Sequence, residues 1–499
     1  MKPSTDPFMR LPFDCAALIL AHVDVHDLAG YQLVNTTWKD TVREWIEVGA
    51  FHQHFPAEWD RLVDANPDAT RDEKWQEFQV CAYELGRDNR WKRGHAYKTI
   101  ETTASLYSYS DKFIAWLDSS SDNGCRRVSW RRAGYQTLDG DLVPYLTHTL
   151  NFRVPEGNIR VLQMCEEEET VFLMVRCPEV VAGMKIEGSD EKPDHMMYML
   201  DLHTGTPLWS NPVSLANYPW NRIWLFGRKK MYRPAGRDWR DLIAHDIRTG
   251  RQLNTIPNVT GTGNTPVSVV TAVHISQLRN REVILTLNNK ILESEIRLID
   301  SASGSLLQSI TNRLPMPTSA RSQQIIISTR RADKDRLTFA LLSYGIRNLQ
   351  YWLVEIRKYT FDNDTSKWTQ KSLDFWDSAQ NHVGLRGRPE IDPFRNFAVD
   401  LRGATRSLAI MPIQRLRAPW PHFDAGTGRR LNVTLECTAP VPITLPREGG
   451  GRAQFITPTG NQLARPGRME IHGGTLLADL TVDDDFRVFE FAFPRQYAA

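Results

Sequence analysis

Apolar residues in the first 50 positions follow the spacing of short helices. Pro12 and Asp14 stand where a first helix would start, because proline fixes φ and a carboxylate suits the positive end of a helix. The apolar residues of this helix recur every three or four positions: Ala16, Ile19, Leu20 and Val23. Two further helices, which Asp27 and Asn35 can cap, carry Leu28, Tyr31, Leu33, Trp38, Val42, Trp45 and Ile46. A bundle this small cannot bury all its apolar surface, so part of it is expected to contact something else.

A second helical stretch follows the first. Residues 49–68 contain two prolines and predict short helices with breaks between them. Asp68 or Thr70 can cap a longer helix that Gly94 ends. Its apolar face consists of Trp75, Phe78, Tyr83 and Leu85. The chain is therefore predicted to be helical up to residue 94.

Beyond residue 95 the pattern changes to short alternating apolar runs broken by turn residues, which is typical of β-strands. One motif recurs, in which an apolar pair precedes Asp, two residues, Thr or Ser, Gly and a second apolar run. Its copies are residues 197–209, 242–256, 296–310 and 421–435, with a degenerate copy at 359–373. The motif predicts a β-hairpin, whose aspartate caps the turn and whose glycine takes a positive φ.

The repeats are spaced like the blades of a β-propeller. The motif aspartates at 201, 246 and 300 follow one another at intervals of 45 and 54 residues. We predict six to eight blades and prefer seven, with residues 113–138 and 475–493 in the first and last blades. Four hairpins also suit a sandwich, but the extent of the repeats favours a closed ring.

The chain is accordingly predicted to be multidomain, with a small all-α region before an all-β propeller. The predicted divisions are a flexible N-terminus (1–10), a three-helix domain (11–50), linker helices (51–94) and a propeller that binds a target (95–499).

Residues 11–38 resemble an F-box along their whole length. The matching segments are the Leu-Pro-x-acidic opening LPFD (11–14), the Ile-Leu-x-x-Leu core ILAHV (19–23), the acidic-Leu pair DL (27–28) and the Val-x-x-x-Trp signature VNTTW (34–38). Cys15 and Ala16 depart from the family, which usually carries bulkier residues there. The resemblance implies docking onto the Skp-type adaptor of an SCF ubiquitin ligase, and through it onto cullin and RING subunits. It implies contact through Leu11, Pro12, Ile19, Leu20, Val23, Leu28, Val34 and Trp38.

The alternative for these apolar residues is that about half of them form the bundle's own core. We expect the two roles to be mixed, with Leu33 and Val42 in the core.

The later segments resemble F-box proteins that carry WD-repeat propellers. In those proteins an Arg/Asn-Trp-x-x-Gly ending leads from linker helices into the first blade, and here it is NRWKRG (89–94). The hairpin motif resembles the end of a WD repeat, with Leu200, His245, Ile299 and Phe423 in place of the tryptophan. The Gly-His opening of WD repeats is not repeated, so a quinoprotein-like or kelch-like ring stays open.

Charge is unevenly spread along the chain. Residues 1–94 hold 11 basic and 16 acidic residues, whereas the rest holds 50 and 43, and only 11 of those 50 are lysines. Arginine pairs well with carboxylate and phosphate, so the target is expected to be acidic or phosphorylated. The candidate target-binding residues are Arg228, Lys229, Lys230, Arg233, Arg237 and Arg240. The alternatives are a solvated loop, a nuclear-import patch and ordinary surface charge.

No pattern in the sequence predicts catalysis. Gly261-Thr262-Gly263 lacks the third glycine of a dinucleotide-binding loop, and no P-loop, GxSxG or HExxH is present. The six cysteines form no CxxC pair, which favours reduced thiols over disulfides or zinc. The acidic run 166–169 can bind a cation, but a solvated hairpin tip is the favoured interpretation.

The sequence therefore predicts a non-catalytic substrate receptor of an SCF ubiquitin ligase. We expect no cofactor, no metal, no membrane and no nucleic acid as partners. With neither a signal peptide nor an apolar span, the protein is expected in the cytoplasm, the nucleus or both. The alternatives are an F-box scaffold that works outside ubiquitination and a propeller enzyme with an accessory helical domain.

Overall fold

The structure of the protein is a computed structural model. It describes residues 10–31, 34–96, 98–110, 112–118, 126–133, 135–138, 141–155, 158–186, 192–214, 224–235, 241–257, 259, 269–278, 281–289, 293–313, 322–328, 337–347, 351–362, 364–377, 389–402, 407–413, 441–446, 452–454, 469–472, 475–479 and 485–490. The predicted flexible N-terminus lies outside these residues except for Arg10.

The chain begins with helices and continues with strands, as the sequence predicts. The helices are α1 (Phe13–Leu20), α2 (Val25–Tyr31), α3 (Thr36–Trp45), α4 (Phe51–His54), α5 (Pro56–Ala65) and α6 (Arg71–Arg93), with a π-helical turn at Ile46–Ala50. No helix in the described ranges has the length and apolar character needed to cross a membrane.

Most of the helix caps are those that the sequence predicts. Asn35 caps α3 by accepting a hydrogen bond of 2.9 Å from the backbone N–H of Trp38. Thr70 and Glu73 form a reciprocal capping box at the start of α6, and Gly94 ends that helix with a φ of 65°. The prediction that Asp27 caps the second helix is wrong, because α2 begins at Val25 and Asp27 lies inside its first turn.

The six helices share one hydrophobic core. Ala16 and Leu20 of α1 and Leu28 of α2 are buried together with residues from the later helices. Those residues are Val42, Trp45, Ile46, Ala50, Phe51, Trp75, Phe78, Cys81 and Ala82. The linker helices α4 to α6 therefore complete the core of α1 to α3, and the six together are called the helical domain below.

The described residues beyond the helical domain are built mainly from antiparallel strands. They are β1 (Lys98–Tyr109), β2 (Phe113–Asp118), β3 (Val128–Arg132), β4 (Tyr135–Leu138), β5 (Asp141–Pro144), β6 (His148–Thr149), β7 (Asn158–Cys165), β8 (Thr170–Arg176), β9 (His195–Asp201), β10 (Pro207–Val213), β11 (Leu225–Phe226), β12 (Lys230–Ala235), β13 (Asp241–Asp246), β14 (Gln252–Ile256), β15 (Val269–Leu278), β16 (Arg281–Asn289), β17 (Glu293–Asp300), β18 (Leu306–Arg313), β19 (Ser322–Ile327), β20 (Phe339–Arg347), β21 (Tyr351–Asp362), β22 (Lys367–Asp377), β23 (Glu390–Asp392), β24 (Phe397–Arg402), β25 (Ser407–Pro412), β26 (Val441–Pro442), β27 (Thr444–Pro446), β28 (Arg452–Gln454), β29 (Met469–His472), β30 (Thr475–Asp479) and β31 (Asp485–Glu490). Five four-stranded sheets are formed by β7–β10, β11–β14, β15–β18, β19–β22 and β23–β26.

A sixth sheet closes the ring and joins the two ends of the propeller. Its seven strands run in the order β29-β30-β31-β1-β2-β3-β6. Residues 98–103 of β1 pair with β31, and residues 104–109 pair with β2, with an irregularity in this second pairing between Ala104 and Tyr107. Strands β2 and β3 of the predicted first blade and strands β30 and β31 of the predicted last blade thus meet in one sheet.

Among the described residues the propeller has six blades, inside the predicted range of six to eight and one fewer than the preferred seven. The difference arises in the seven-stranded sheet. In this sheet β29, β30, β31 and β1 would make one four-stranded set, and β1, β2, β3 and β6 would make another. Because both sets contain β1, they form a single sheet and count as one blade.

The repeated hairpin motif forms the turn that the sequence predicts. The carboxylates of Asp201, Asp246 and Asp300 accept hydrogen bonds of 2.8 Å from the backbone N–H three residues later. Gly205, Gly250 and Gly304 follow at φ values of 69°, 69° and 71°.

Glycine is also required at the second of these turns because the preceding blade lies close. A Cβ at Gly250 would come within 2.8 Å of the Trp209 ring.

The degenerate copy at 359–373 keeps this turn between β21 and β22, with Ser366 at a φ of 53°. The copy at 421–435 lies outside the described residues.

Candidate functional site

Helix α1 has two apolar faces. Phe13, Ala16, Ala17 and Leu20 recur at helical spacing and pack into the core of the helical domain. On the opposite side Cys15, Leu18 and Ile19 are exposed, and the exposed fractions of Leu18 and Ile19 are 68% and 46%. A helix that is apolar all round is normally covered on every side. The second face of α1, called the outer face below, therefore has the character of a contact surface.

The predicted adaptor-binding residues divide between this surface and the core. Pro12, Ile19 and Val34 are exposed, Val34 by 58%. Leu11, Val23 and Trp38 are half-buried, and the Trp38 ring lies edge-on to Tyr31 with 5.6 Å between ring centroids.

Leu20 and Leu28 are both 0% exposed. Both side chains pack in the core of the helical domain, and their assignment as contact residues stays a prediction. Val42 is also fully buried, as the sequence predicts, whereas Leu33 lies outside the described residues.

Two exposed apolar residues of the helical domain are absent from the sequence prediction. Leu18 is 68% exposed on the outer face of α1, and Val48 is 71% exposed on the π-helical turn after α3. The exposure of Leu18 could have been inferred from helical spacing. Leu18 lies three positions after Cys15, so the two side chains lie on the same side of the helix, opposite the core-facing residues. Val48 had no comparable signal.

The last turns of α6 attach the helical domain to the propeller. The Arg395 guanidinium in the β23–β24 turn contacts the Asp88 carboxylate at 2.8 Å and the Asp392 carboxylate at 2.6 Å. The Trp91 ring stacks on Phe397 with 4.8 Å between centroids, and Thr444 donates its backbone N–H to the Gly94 carbonyl at 2.8 Å. These contacts form the joint between the two parts.

Charges at this joint stabilise one another. Burial alone would lower the pKa of Arg395, but the carboxylates of Asp392 and Asp88 outweigh it and the pKa is raised above its ordinary value. Arg395 therefore stays protonated and holds both carboxylates.

The candidate target-binding residues differ in their exposure. Arg228 and Lys229 are exposed before β12, whereas Lys230 and Arg233 lie within that strand and are half-buried. Arg237 and Arg240 lie outside the described residues. The Arg228 guanidinium contacts the Glu167 carboxylate at 2.8 Å, so this arginine already has an acidic neighbour. The assignment of this stretch to target binding stays a prediction.

The acidic run Glu166–Glu169 is a hairpin tip between β7 and β8, as favoured from the sequence. Its carboxylates contact basic side chains. Lys112 lies 3.4 Å from Glu166 and Arg248 lies 3.6 Å from Glu168, while His203 pairs with Glu169. Together with the Arg228–Glu167 pair, these contacts tie the tip to the blades on either side of it. In the described part of the chain no group of three or more His, Cys, Asp or Glu side chains has the arrangement of a metal site.

The buried cysteines lack the environment of a nucleophile. Burial raises the pKa of the Cys165 thiol to about 12 and also raises the pKa of Cys177. A thiol acts as a nucleophile in its deprotonated form, which burial disfavours in both groups.

Comparison with known families identifies the N-terminal helices. The F-box domain model matches residues 8–45, which cover α1, α2 and α3. A search of curated proteins finds no match.

The solved structures similar to this chain are distant from it. They include a chain of a mitotic checkpoint complex (9% identity, TM-score 0.37, covering 79% of this chain and 94% of that one), the Dos1 propeller (10%, 0.39, 80% and 96%) and Kuenenia stuttgartiensis hydrazine synthase (10%, 0.41, 78% and 95%). Likenesses this remote carry no information about what the chain binds. The chain therefore carries an F-box domain at residues 8–45, and this domain and three further helices precede a β-propeller that has six blades among the described residues.

Proposed function

We propose that this protein is a substrate receptor of an SCF ubiquitin ligase. The F-box binds a Skp-type adaptor and through it the cullin and RING subunits, while the propeller holds a target protein. The receptor itself has no catalytic role. It accelerates ubiquitin transfer by holding the target's lysine close to the ubiquitin-conjugating enzyme, which replaces a rare bimolecular encounter by a local one.

The observation that supports this proposal best is the uncovered apolar surface of the F-box. Leu18 and Ile19 on the outer face of α1, and Val34 before α3, are exposed by 68%, 46% and 58%. The propeller attaches through the far end of α6 and leaves these side chains exposed. Apolar area of this kind gains stability when a partner removes it from water.

The joint at the end of α6 supports a receptor in which the target is held at a fixed place. Trp75, Phe78 and Ala82 of α6 are buried in the helical domain, whereas Asp88 and Trp91 contact the propeller. One continuous helix thus belongs to both parts. A rigid connection keeps the distance between the ligase and the captured target constant.

Basic side chains on the propeller bear on the nature of the target. Arg228 and Lys229 are exposed on the propeller, and the second part of the chain is rich in arginine. We propose an acidic or phosphorylated target on these grounds, and we propose that capture occurs in the cytoplasm, the nucleus or both.

The test is binding of the full chain to a purified Skp-type adaptor, followed by size-exclusion chromatography with cullin and RING subunits. The variants are Ile19→Asp and Val34→Asp, which place a charge in the contact without disturbing the core. We expect each to weaken adaptor binding by about 100-fold or more, since an unpaired carboxylate in an apolar contact is strongly unfavourable. Leu253→Asp is the control, because Leu253 is similarly exposed (48%) but lies on the propeller. Truncating Leu20 is unsuitable, since it would test folding.

The outcomes separate the possible functions. If wild type and the F-box variants retain the adaptor equally, the receptor proposal is wrong. If the adaptor binds but no cullin joins the complex, the protein is a scaffold outside ubiquitination. Loss of binding in Ile19→Asp and Val34→Asp, but not in Leu253→Asp, supports the proposal.

A further inference from the structure

The hairpin tip Glu166–Glu169, called the acidic tip below, lies among basic side chains from three sheets of the propeller. Each of its four consecutive glutamates contacts a different basic residue, and four residues of chain span at most about 14 Å. The basic residues are Lys112, His203, Arg228 and Arg248. These four side chains therefore surround one short segment, and they are called the basic cluster below.

The acidic tip contacts the basic cluster through its carboxylates and its backbone. Lys112 donates its backbone N–H to the Glu166 carboxylate at 3.1 Å. The Arg248 guanidinium lies 3.6 Å from the Glu168 carboxylate and donates to the Glu168 carbonyl at 3.4 Å. Arginine binds in this way to acidic segments of partner chains as well, because the acceptors are the same. The tip thus has the contacts of an acidic peptide bound to a basic surface.

The ion pairs of the tip are open to solvent. The exposed fractions of the Arg228 and Arg248 side chains are 56% and 51%, and that of Glu167 is 42%. Exposed pairs each contribute little to stability, because water and salt screen them. Arg248 also lies 3.6 Å from the Asp201 carboxylate, so it stays partly paired when the tip moves away. A competing anion can therefore replace the glutamates at this surface.

The turn at the tip does not itself require four glutamates. Its backbone is closed by a hydrogen bond of 3.3 Å from the Glu169 N–H to the Glu166 carbonyl. Glu169 has a φ of 50°, a conformation in which asparagine, aspartate and histidine are the more usual non-glycine residues. The carboxylates instead make their ion pairs with side chains of other turns, so their role lies between turns.

We propose that the basic cluster is a binding surface for an acidic segment of the target, and that the acidic tip occupies this surface as an internal competitor. The proposal rests on the proposed function, because it names the surface and the regulation of target capture. A surface that holds four carboxylates of its own chain is complementary to a run of acidic or phosphorylated residues in another chain. Capture then requires displacement of the tip, which selects against segments with few negative charges.

Fluorescence polarisation with the purified full chain measures the effect of the tip on binding. The probes are a labelled hexaglutamate peptide and a labelled peptide with three phosphoserines. Glu167→Gln combined with Glu168→Gln, called the tip variant below, removes two charges and nearly keeps the shape of the side chains. We expect it to bind both peptides about 5- to 30-fold more tightly than wild type, since two competing ion pairs are lost. Adding Arg228→Ala to the tip variant should remove most of this gain.

Glu179→Gln combined with Asp60→Asn is the matched control. Both residues are exposed, Glu179 beyond the other end of β8 and Asp60 in helix α5. The control variant has the same net charge as the tip variant, but its changes lie outside the basic cluster. Its affinity for the peptides should stay within about twofold of wild type at physiological salt, because distant exposed charges are screened. Thermal unfolding checks that every variant folds.

A gain in the tip variant that Arg228→Ala removes, and that the control variant lacks, supports the proposal. Equal peptide affinity in wild type and the tip variant overturns the competing role of the tip. A gain that survives Arg228→Ala, or that the control variant shares, shows that the basic cluster is not the binding surface. Tighter binding of a single-stranded oligonucleotide than of either peptide overturns the choice of an acidic peptide. The proposed function is decided separately by adaptor binding of the wild type, which none of these substitutions affects.

Discussion

The joint between α6 and the propeller gives the sharpest prediction about stability. Arg395 is only 5% exposed and holds two carboxylates from different parts of the chain. Asp88 belongs to α6, whereas Asp392 belongs to the β23–β24 turn beside Arg395. Replacing Arg395 by alanine removes both ion pairs and loosens the helical domain from the propeller.

The magnitude follows from what remains after the substitution. Asp392 is 7% exposed and keeps the hydrogen bond of 3.0 Å from the Phe394 backbone N–H. Asp88 is 19% exposed and keeps Arg87 at 3.4 Å. Breaking a buried pair costs about 3–5 kcal/mol, and these remaining partners favour the lower end, about 3 kcal/mol. Asp88→Ala leaves Arg395 paired with Asp392, so its expected cost is smaller, about 1.5 kcal/mol.

Urea unfolding of the full chain measures these losses, and small-angle scattering reports whether the two parts separate. Asp72→Ala is the control, since Asp72 is in the same helix and pairs with Arg43 at 2.7 Å but is 72% exposed. An exposed pair of this kind contributes at most about 1 kcal/mol. If Arg395→Ala is no less stable than Asp72→Ala, the buried network does not hold the joint and the reasoning is refuted.

Three further predictions concern the core and the turns. Gly250→Ala should lower the free energy of unfolding by about 2 kcal/mol or more, because alanine disfavours a φ of 69° and its Cβ would meet Trp209 at 2.8 Å. Leu20→Ala should cost about 2–5 kcal/mol, since the side chain is fully buried. Both are measured by urea unfolding. Burial alone would raise the pKa of Asp300, but hydrogen bonds from Ser303 outweigh it and the pKa lies below its usual value. Its stabilisation is therefore present at neutral pH and lost as the pH falls through that lowered pKa, so Asp300→Asn should flatten the acid limb of a stability-against-pH curve.

Each of these predictions has a matched control in the chain. Gly183 has a φ of 88° but nothing within 4 Å of an added Cβ, so Gly183→Ala isolates the backbone cost from the clash. Ile19→Ala removes an exposed apolar side chain from the same helix as Leu20 and should leave stability nearly unchanged. Asp364→Asn removes an exposed carboxylate from the turn between β21 and β22. Equal effects in a variant and its control would contradict the corresponding argument.

Local features of the fold were predictable because their causes are local. The caps at Asn35 and Thr70 depend on side chains that reach backbone groups three residues away. The turns after Asp201 and Asp246 likewise depend on a carboxylate and a glycine within five positions. For features of this kind, nearly all the interactions that determine the structure are made between residues a few positions apart.

Features that depend on distant packing were not predictable. The F-box motif contains both Ile19 and Leu20 and does not indicate which of them is buried. The core of the helical domain encloses Leu20 and leaves Ile19 exposed, and this core includes residues of α6. Nothing near Glu167 in sequence indicates that Arg228 of another blade lies 2.8 Å away. The number of sheets also depends on how the two ends of the propeller meet at β1. Each of these outcomes is set by contacts between residues that are far apart in the chain.

Helix α6 joins the helical domain to the propeller. It has 23 residues and is therefore about 34 Å long. Its N-terminal half is buried in the helical domain by Trp75 and Phe78, and its last turns are fixed to the propeller by Asp88 and Trp91. A helix held at both ends has no hinge between them, so the outer face of α1 and the blades keep one relative orientation. A receptor that works by proximity requires such an orientation, because mobility between adaptor and target would dilute the local concentration on which transfer depends.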